Sequence, residues 1–220
     1  MEPDPTPARL SLPLMMVLFI GYCLARPMMR LFYRIRIERD PRWDGASACV
    51  LAANHRSFMD PPLVSVAARR PISYFARANL WKIPVVRQFL QVLEGIPVDR
   101  NAPALRNMRQ VVDHLKRGKR ILVFPEGTRT RSGRVGRMRE GPALFARRAG
   151  VPVVPVYLFR SETAWPRGWP VFSIAGHVRV RVGAPIVPPA GVTGKDADRL
   201  ITVYLQRWME RRERELMGPA

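Results

Sequence analysis

The sequence predicts an α/β fold: a mostly parallel central sheet flanked by helices, with a helical segment of different character in front of it. Three observations carry this. Short apolar runs bounded by glycine, proline or charge recur at 49–52, 72–76, 95–98, 120–124 and 151–159, which is the length and composition of buried strands. Helical periodicity falls between them, and strands alternating with helices place the helices on the faces of a parallel sheet. The first forty residues follow neither pattern.

Residues 1–9 are proline-rich, and residues 10–25 carry no charge. As a helix, 10–25 would reach about 24 Å, short of a hydrocarbon core of about 30 Å. In 26–39, Arg26, Arg30, Arg34 and Arg36 alternate with Met28, Met29, Leu31, Phe32, Tyr33, Ile35 and Ile37. That pattern fits a helix lying in an anionic interface. A cleaved secretory signal is the rival reading, but the acidic start at Glu2 and Asp4 and the poor cleavage site at Cys23-Leu24-Ala25 argue for a retained anchor. Residues 1–40 are therefore expected to form a membrane-anchoring helical segment and 41–220 a single α/β domain. Arginines after the apolar run would hold that domain on the cytoplasmic face of the membrane.

Within the domain, 104–116 reads as a helix, with Leu105, Met108, Val111, Val112 and Leu115 on one face and Gly118 as its stop. Residues 142–149 form a second short helix. Val178, Val180 and Val182 alternate with Arg179 and Arg181, a half-exposed strand. Asp196 or Asp198 opens a final helix through 207–215, its charged end a solvated face.

The net charge of +20 and pI near 11.5 point to anionic partners: membrane lipid, a phosphorylated substrate or nucleic acid. Of 37 basic residues 33 are arginine. Cys23 and Cys49 lack spaced partners and His55, His114 and His177 are scattered, so neither a disulfide framework nor a metal site is indicated.

The chemistry centres on Asn54-His55-Arg56-Ser57-Phe58-Met59-Asp60-Pro61-Pro62. Five residues of regular helix turn through about 500°, so His55 and Asp60 meet only if the backbone turns between them. Asp60-Pro61 supplies a turn, with Asp60 as the N-cap of a helix beginning at Pro61. The pair then reads as a general base and its orienting carboxylate. A plainer reading stays open on spacing alone: a capping aspartate beside an ordinary loop histidine. Downstream, 120–124 runs into Pro125-Glu126-Gly127-Thr128-Arg129, and Arg129, Arg131, Arg134, Arg137 and Arg139 gather within eleven residues. Guanidinium forks suit phosphate oxygens, although a solvated basic loop has the same composition. Gly95 through Asp99-Arg100 is another strand end finishing in charge.

Asn54-His55-x4-Asp60, Gly95-x4-Arg100, Phe124-Pro125-Glu126-Gly127-Thr128-Arg129 and Val151-Pro152-Val153-Val154-Pro155-Val156 stand in the order of the four blocks of the glycerophosphate acyltransferase family. The chain most resembles its bacterial 1-acyl-sn-glycerol-3-phosphate acyltransferases, over about residues 45–190. Two departures stand out. Met138-Arg139-Glu140-Gly141-Pro142 replaces a lysine-rich segment, and Pro97 replaces a bulky apolar residue.

The resemblance implies acyl transfer to a lysophospholipid from a thioester of coenzyme A or acyl carrier protein, which serves as co-substrate, with no cofactor. His55 would take the acceptor hydroxyl proton and Asp60 would orient it. Arg100, Glu126, Gly127, Thr128 and Arg129 would hold the glycerophosphate. Ser57 would be structural. Transfer to another lyso-lipid or to glycerol 3-phosphate is the runner-up. A nucleic-acid-binding module would explain the charge, but no aromatics interleave with the arginine cluster as stacking platforms, so no nucleic-acid partner is expected. A non-catalytic membrane adaptor would have no need of the His55–Asp60 pair.

Overall fold

The structure, a computed structural model, describes residues 24, 26–45, 47–68, 72–77, 81–82, 87, 90, 95–98, 104–165, 168, 173 and 176–217. Expectations for 1–23, and for Arg100, lie outside these residues.

The elements run β1 (Arg36–Arg39), β2 (Cys49–Ala53), α1 (Asp60–Ala67), β3 (Ser73–Arg77), β4 (Ile96–Val98), α2 (Ala104–Lys116), β5 (Arg120–Val123), α3 (Gly141–Ala149), β6 (Val153–Phe159), β7 (Arg179–Val182) and α4 (Gly194–Met217). They build one mixed seven-stranded sheet, ordered β1-β7-β6-β2-β5-β3-β4. All neighbours are parallel except β6 and β7. The five predicted apolar strands form the parallel block, and β7 with β1 runs against them.

Two cores sandwich the sheet. On one face Leu51, Ala53, Leu122, Val154, Val156 and Leu158 pack with Leu63, Val64 and Ala67 of α1 and with Tyr33 and Val178. On the other, Val50, Ala52, Ile121, Val153 and Tyr157 meet Val111 and Leu115 of α2, Ala143 and Ala146 of α3, and Ile201, Leu205 and Met209 of α4. Successive residues of β2 thus serve opposite cores, and the whole strand is buried, which is why it is apolar throughout rather than alternating.

Pro155 sits in a central strand, where a missing N–H would break the ladder. Its carbonyl accepts from Gly183, so its nitrogen faces the end of β7, where the paired register has stopped at Val182. Gly183 is itself required there: a Cβ would lie 2.8 Å from Pro155 Cγ and from the Trp208 ring.

Four expectations are corrected. Residues 26–39 are not one helix: helical backbone ends at residue 32, the chain turns at Arg34 (φ 40°), and 36–39 pairs with β7. Buried Tyr33 and Ile35 show why, since sheet and core burial outweigh an interfacial pattern. Leu105 stands 50 % exposed rather than on the buried face of α2. α4 begins at Gly194, and Asp198 is instead buried in a bidentate ion pair with Arg147 at 2.7 and 2.8 Å. The charged end of α4 is not wholly solvated, because Glu213 is buried. Among the described residues no helix is long and apolar enough to cross a membrane.

Candidate active site

β2 and β5 are adjacent and parallel, but the chain leaves them in opposite directions: β2 leads by α1 to β3, and β5 leads by α3 to β6. Their connections lie on opposite faces, the arrangement that leaves a crevice at the carboxyl ends between two such strands. Asn54–Asp60 and Phe124–Arg129 are the two loops that border it.

The β2 strand is carried one residue further by a side chain. Asn54 Oδ1 accepts from the Leu158 N–H at 2.7 Å and its Nδ2 donates to the Leu158 carbonyl at 3.0 Å. The next residue, His55, therefore leaves the sheet at a fixed point.

His55 Nδ1 lies 2.7 Å from Asp60 Oδ2. That same oxygen accepts the backbone N–H groups of Arg56 at 2.6 Å and Ser57 at 2.8 Å. The Asp60 side chain is fully buried and that of His55 is 19 % exposed. A carboxylate can only accept, so Nδ1 carries the proton and Nε2 the lone pair. The imidazole stacks on Phe124, ring centroids 4.0 Å apart. Both ring face and tautomer are thus held, and Nε2 has no protein partner among the described residues.

The helix-capping role expected of Asp60 is corrected here. Met59 is the N-cap of α1, without a side-chain cap, and Asp60 is the first helical residue. Its carboxylate turns back on the preceding loop, and the turn that joins it to His55 is closed by the two N–H groups it accepts.

Glu126 ties the loops together. Its Oε1 accepts from the His55 N–H at 2.8 Å and its Oε2 from the Gly136 N–H at 3.0 Å, while the Thr130 N–H donates to the His55 carbonyl at 2.8 Å. Burial pushes the Glu126 carboxyl above its ordinary range, partly offset by those two N–H donors. Gly127 adopts φ 74°, and a Cβ there would meet the Arg139 guanidinium at 3.0 Å. Gly127 and Thr128 are exposed and Arg129 half-buried. The Arg129 guanidinium lies 3.6 Å over the exposed Phe58 ring, which packs edge-on against Trp165. Arg129 Nη1 is buried without a hydrogen-bond partner among the described residues. A cation held on an aromatic face with unused donors can receive an anionic oxygen.

The structure thus brings His55, Asp60, Glu126, Gly127, Thr128 and Arg129 to one crevice. Ser57 is engaged elsewhere: its Oγ donates to the Trp165 carbonyl and accepts from the Met59 N–H, each at 3.1 Å. Two contributors carry no periodicity or spacing signal. Phe124 reads as the end of a strand. Arg56 reads as a loop cation but is 4 % exposed, with Nη2 3.2 Å from the Tyr157 hydroxyl and 3.4 Å from Glu213 Oε1, and Nη1 3.4 Å from Glu162. It locks the His55 loop to β6 and α4. A groove of about 880 Å³ lies beyond Gly136, bordered by Arg137, Arg139, Arg199 and Gln206; His55 does not line it. No cluster of three or more metal-ligating side chains occurs among the described residues.

The acyltransferase family model matches residues 34–159. A 1-acyl-sn-glycerol-3-phosphate acyltransferase of Pseudomonas aeruginosa is 30 % identical over 165 residues, 73 % of this chain and 61 % of that protein. The chloroplastic 1-acyl-sn-glycerol-3-phosphate acyltransferase BAT2 of Brassica napus is 30 % identical over 141 residues, 63 % of this chain and 40 % of that protein. This chain therefore spans less than two thirds of the length of either relative. The crystal structure of the 1-acyl-sn-glycerophosphate (LPA) acyltransferase PlsC of Thermotoga maritima superposes with a TM-score of 0.68 at 22 % identity, covering 91 % of this chain and 87 % of that one. The two share the fold.

Proposed function

This chain belongs to the acyltransferase family, and from that premise we propose that it moves a fatty acyl group from a thioester of coenzyme A or acyl carrier protein to the free hydroxyl of 1-acyl-sn-glycerol 3-phosphate, giving phosphatidic acid. The relatives' names support the acceptor. The observation that carries the chemistry is the His55 Nδ1–Asp60 contact at 2.7 Å with the carboxylate buried, at the edge of a crevice whose other border presents Arg129.

The acceptor's phosphate sits on Arg129, with Arg100, on the second block, as a further contact. The exposed Thr128 adds a hydroxyl beside it, Gly127 shapes the turn through its N–H to the Phe124 carbonyl at 3.0 Å, and Glu126 holds the two loops in register. Nε2 of His55 takes the hydroxyl proton as the oxygen attacks the thioester carbonyl. The C–O bond forms, the tetrahedral intermediate collapses, the C–S bond breaks, and the imidazolium returns the proton to the departing thiolate. Asp60 stabilises the imidazolium in between. A positioned general base contributes about 10²–10⁴ in rate, and alignment of both substrates contributes alongside it. Neither step calls for a resident metal or cofactor. In this reading a lipid acceptor and a lipid product put the reaction at a membrane surface, on the cytoplasmic face if the arginines after the apolar run orient the domain as expected.

The test is a purified preparation given labelled acyl donor and a panel of lyso-lipids together with glycerol 3-phosphate, read by chromatography. The expected product is phosphatidic acid from 1-acyl-sn-glycerol 3-phosphate, abolished in His55→Ala. Preference for another acceptor would overturn the substrate assignment, and full activity of His55→Ala would overturn the base.

A further inference from the structure

A second cationic site lies on the same edge of the sheet. A pocket of about 290 Å³ is lined by Arg34, Arg36, Arg160, His177 and Arg179, with Phe159 and Val178 at its base. Arg160 follows the carboxyl end of β6. Arg179 opens the antiparallel β7, and Arg36 opens β1 parallel to it. All three strand ends therefore point to the edge that carries His55. In sheet order they lie one to three strands from β2, roughly 5–15 Å along the edge.

The charge arrangement is what distinguishes this place. Arg36 and Arg179 are register partners on neighbouring strands, and like charges set opposite one another are unfavourable. Two residues further on, the same strand pair is neutralised: Glu38 faces Arg181, 2.6 Å away. At the pocket no carboxylate pairs with Arg34, Arg36, Arg160 or Arg179 among the described residues. Arg34 Nη1 instead meets His177 Nε2 at 3.5 Å. Arg34 and Arg160 are also the only non-glycine residues with positive φ among those described, at 40° and 61°, a conformation L-residues adopt at a penalty. Convergent cations without a counter-charge among the described residues, two of them on strained backbone, are arranged to receive an anion.

A neighbouring surface identifies the source of that anion. The helical backbone leading to Arg34 presents Leu24, Met28 and Leu31 outward at helical spacing, with Phe32 beside them, each between 46 % and 74 % exposed. Met29 and Tyr33 take the inner side. Apolar side chains on an outer face next to an arginine pocket match the acyl–headgroup boundary of a bilayer.

We propose that Arg34, Arg36, Arg160, His177 and Arg179 bind the headgroup phosphate of an anionic membrane lipid, seating the His55 edge of the sheet against the bilayer. The site is distinct from the crevice at His55 and does not depend on which acceptor is acylated there.

The test is flotation of the full-length protein with phosphatidylcholine vesicles, with and without phosphatidylglycerol, in the absence of acyl donor and acceptor. Arg36→Gln/Arg179→Gln should lower affinity for the anionic vesicles by about 20- to 30-fold, from the contribution of each arginine near such a surface. Arg36→Lys/Arg179→Lys should recover only part of it, because the fork geometry is lost. Thermal melts by circular dichroism establish that the variants are folded. Arg137→Gln/Arg199→Gln removes equal charge from the other groove, whose lining shares no residue with this pocket, and should change binding far less. Equal loss in that control, full recovery with lysine, or unchanged binding of the glutamine variant would each overturn the site. So would binding of free coenzyme A that the glutamine variant abolishes while vesicle binding persists, which would assign the pocket to nucleotide phosphates.

Discussion

Replacing Asp60 by asparagine removes a charge from the site with little change of shape. Asp60 Oδ2 accepts three N–H groups at 2.6–2.8 Å, and an amide oxygen in the same place can accept all three. The loop and the His55 tautomer are therefore retained. What is lost is the attraction between the carboxylate and the imidazolium that forms as the acceptor is deprotonated. For charge centres about 4 Å apart at an effective dielectric near 20, that attraction is about 4 kcal/mol, or roughly a thousandfold in kcat. The donor and acceptor KM should move little, since the Asp60 side chain is fully buried and offers a substrate no surface. The assay is initial-rate acyl transfer with labelled donor across an acceptor series, alongside His55→Ala and the double variant. Residues acting as one unit are non-additive, so the double variant should be no slower than His55→Ala alone. An Asp60→Asn enzyme within tenfold of wild type, or a double variant slower by the product of the two single effects, would refute a dyad.

Three further outcomes are expected. Ser57→Ala should keep acyl transfer within a few-fold and lose about 1 kcal/mol of stability from its two local hydrogen bonds, measured by chemical denaturation; an inactive, folded Ser57→Ala would point to an acyl-serine instead. Arg56→Ala should destabilise by about 3 kcal/mol, leaving Glu213 buried without its cation, and lower Tm by roughly 6–12 °C for a chain of this size, read by calorimetry. The Glu126 carboxyl is raised on folding by burial, so the native state holds its proton to higher pH than the unfolded chain does. Its contribution to stability is then greatest below the unfolded carboxyl range and falls as pH rises through the folded value; a pH series of melts on wild type and Glu126→Gln should show that decline only in the wild type.

Residue order alone determined much of this protein. The five apolar strands and the span of α2 are legible because each depends on local pattern: continuous apolar runs for strands buried on both faces and helical spacing for α2. The two loops that border the candidate site are marked by turn-forming residues at strand ends, and His55, Asp60, Glu126, Gly127, Thr128 and Arg129 by the order of the family's blocks that they resemble. Tertiary structure decided what depends on partners distant in the chain. β1 is a strand because β7 offers it a ladder and the core takes Tyr33 and Ile35, although its own composition reads as an interfacial helix. Asp60 orients His55 rather than capping α1 because its carboxylate is claimed by the N–H groups of Arg56 and Ser57. Arg56 is a buried anchor because Glu213, 157 residues away, lies where the α4 packing puts it. The pairing of Arg36 with Arg179 follows from sheet register, which no local pattern specifies. Local periodicity reports which face a residue can bury; only the packed sheet determines which charges and hydrogen-bonding groups meet there.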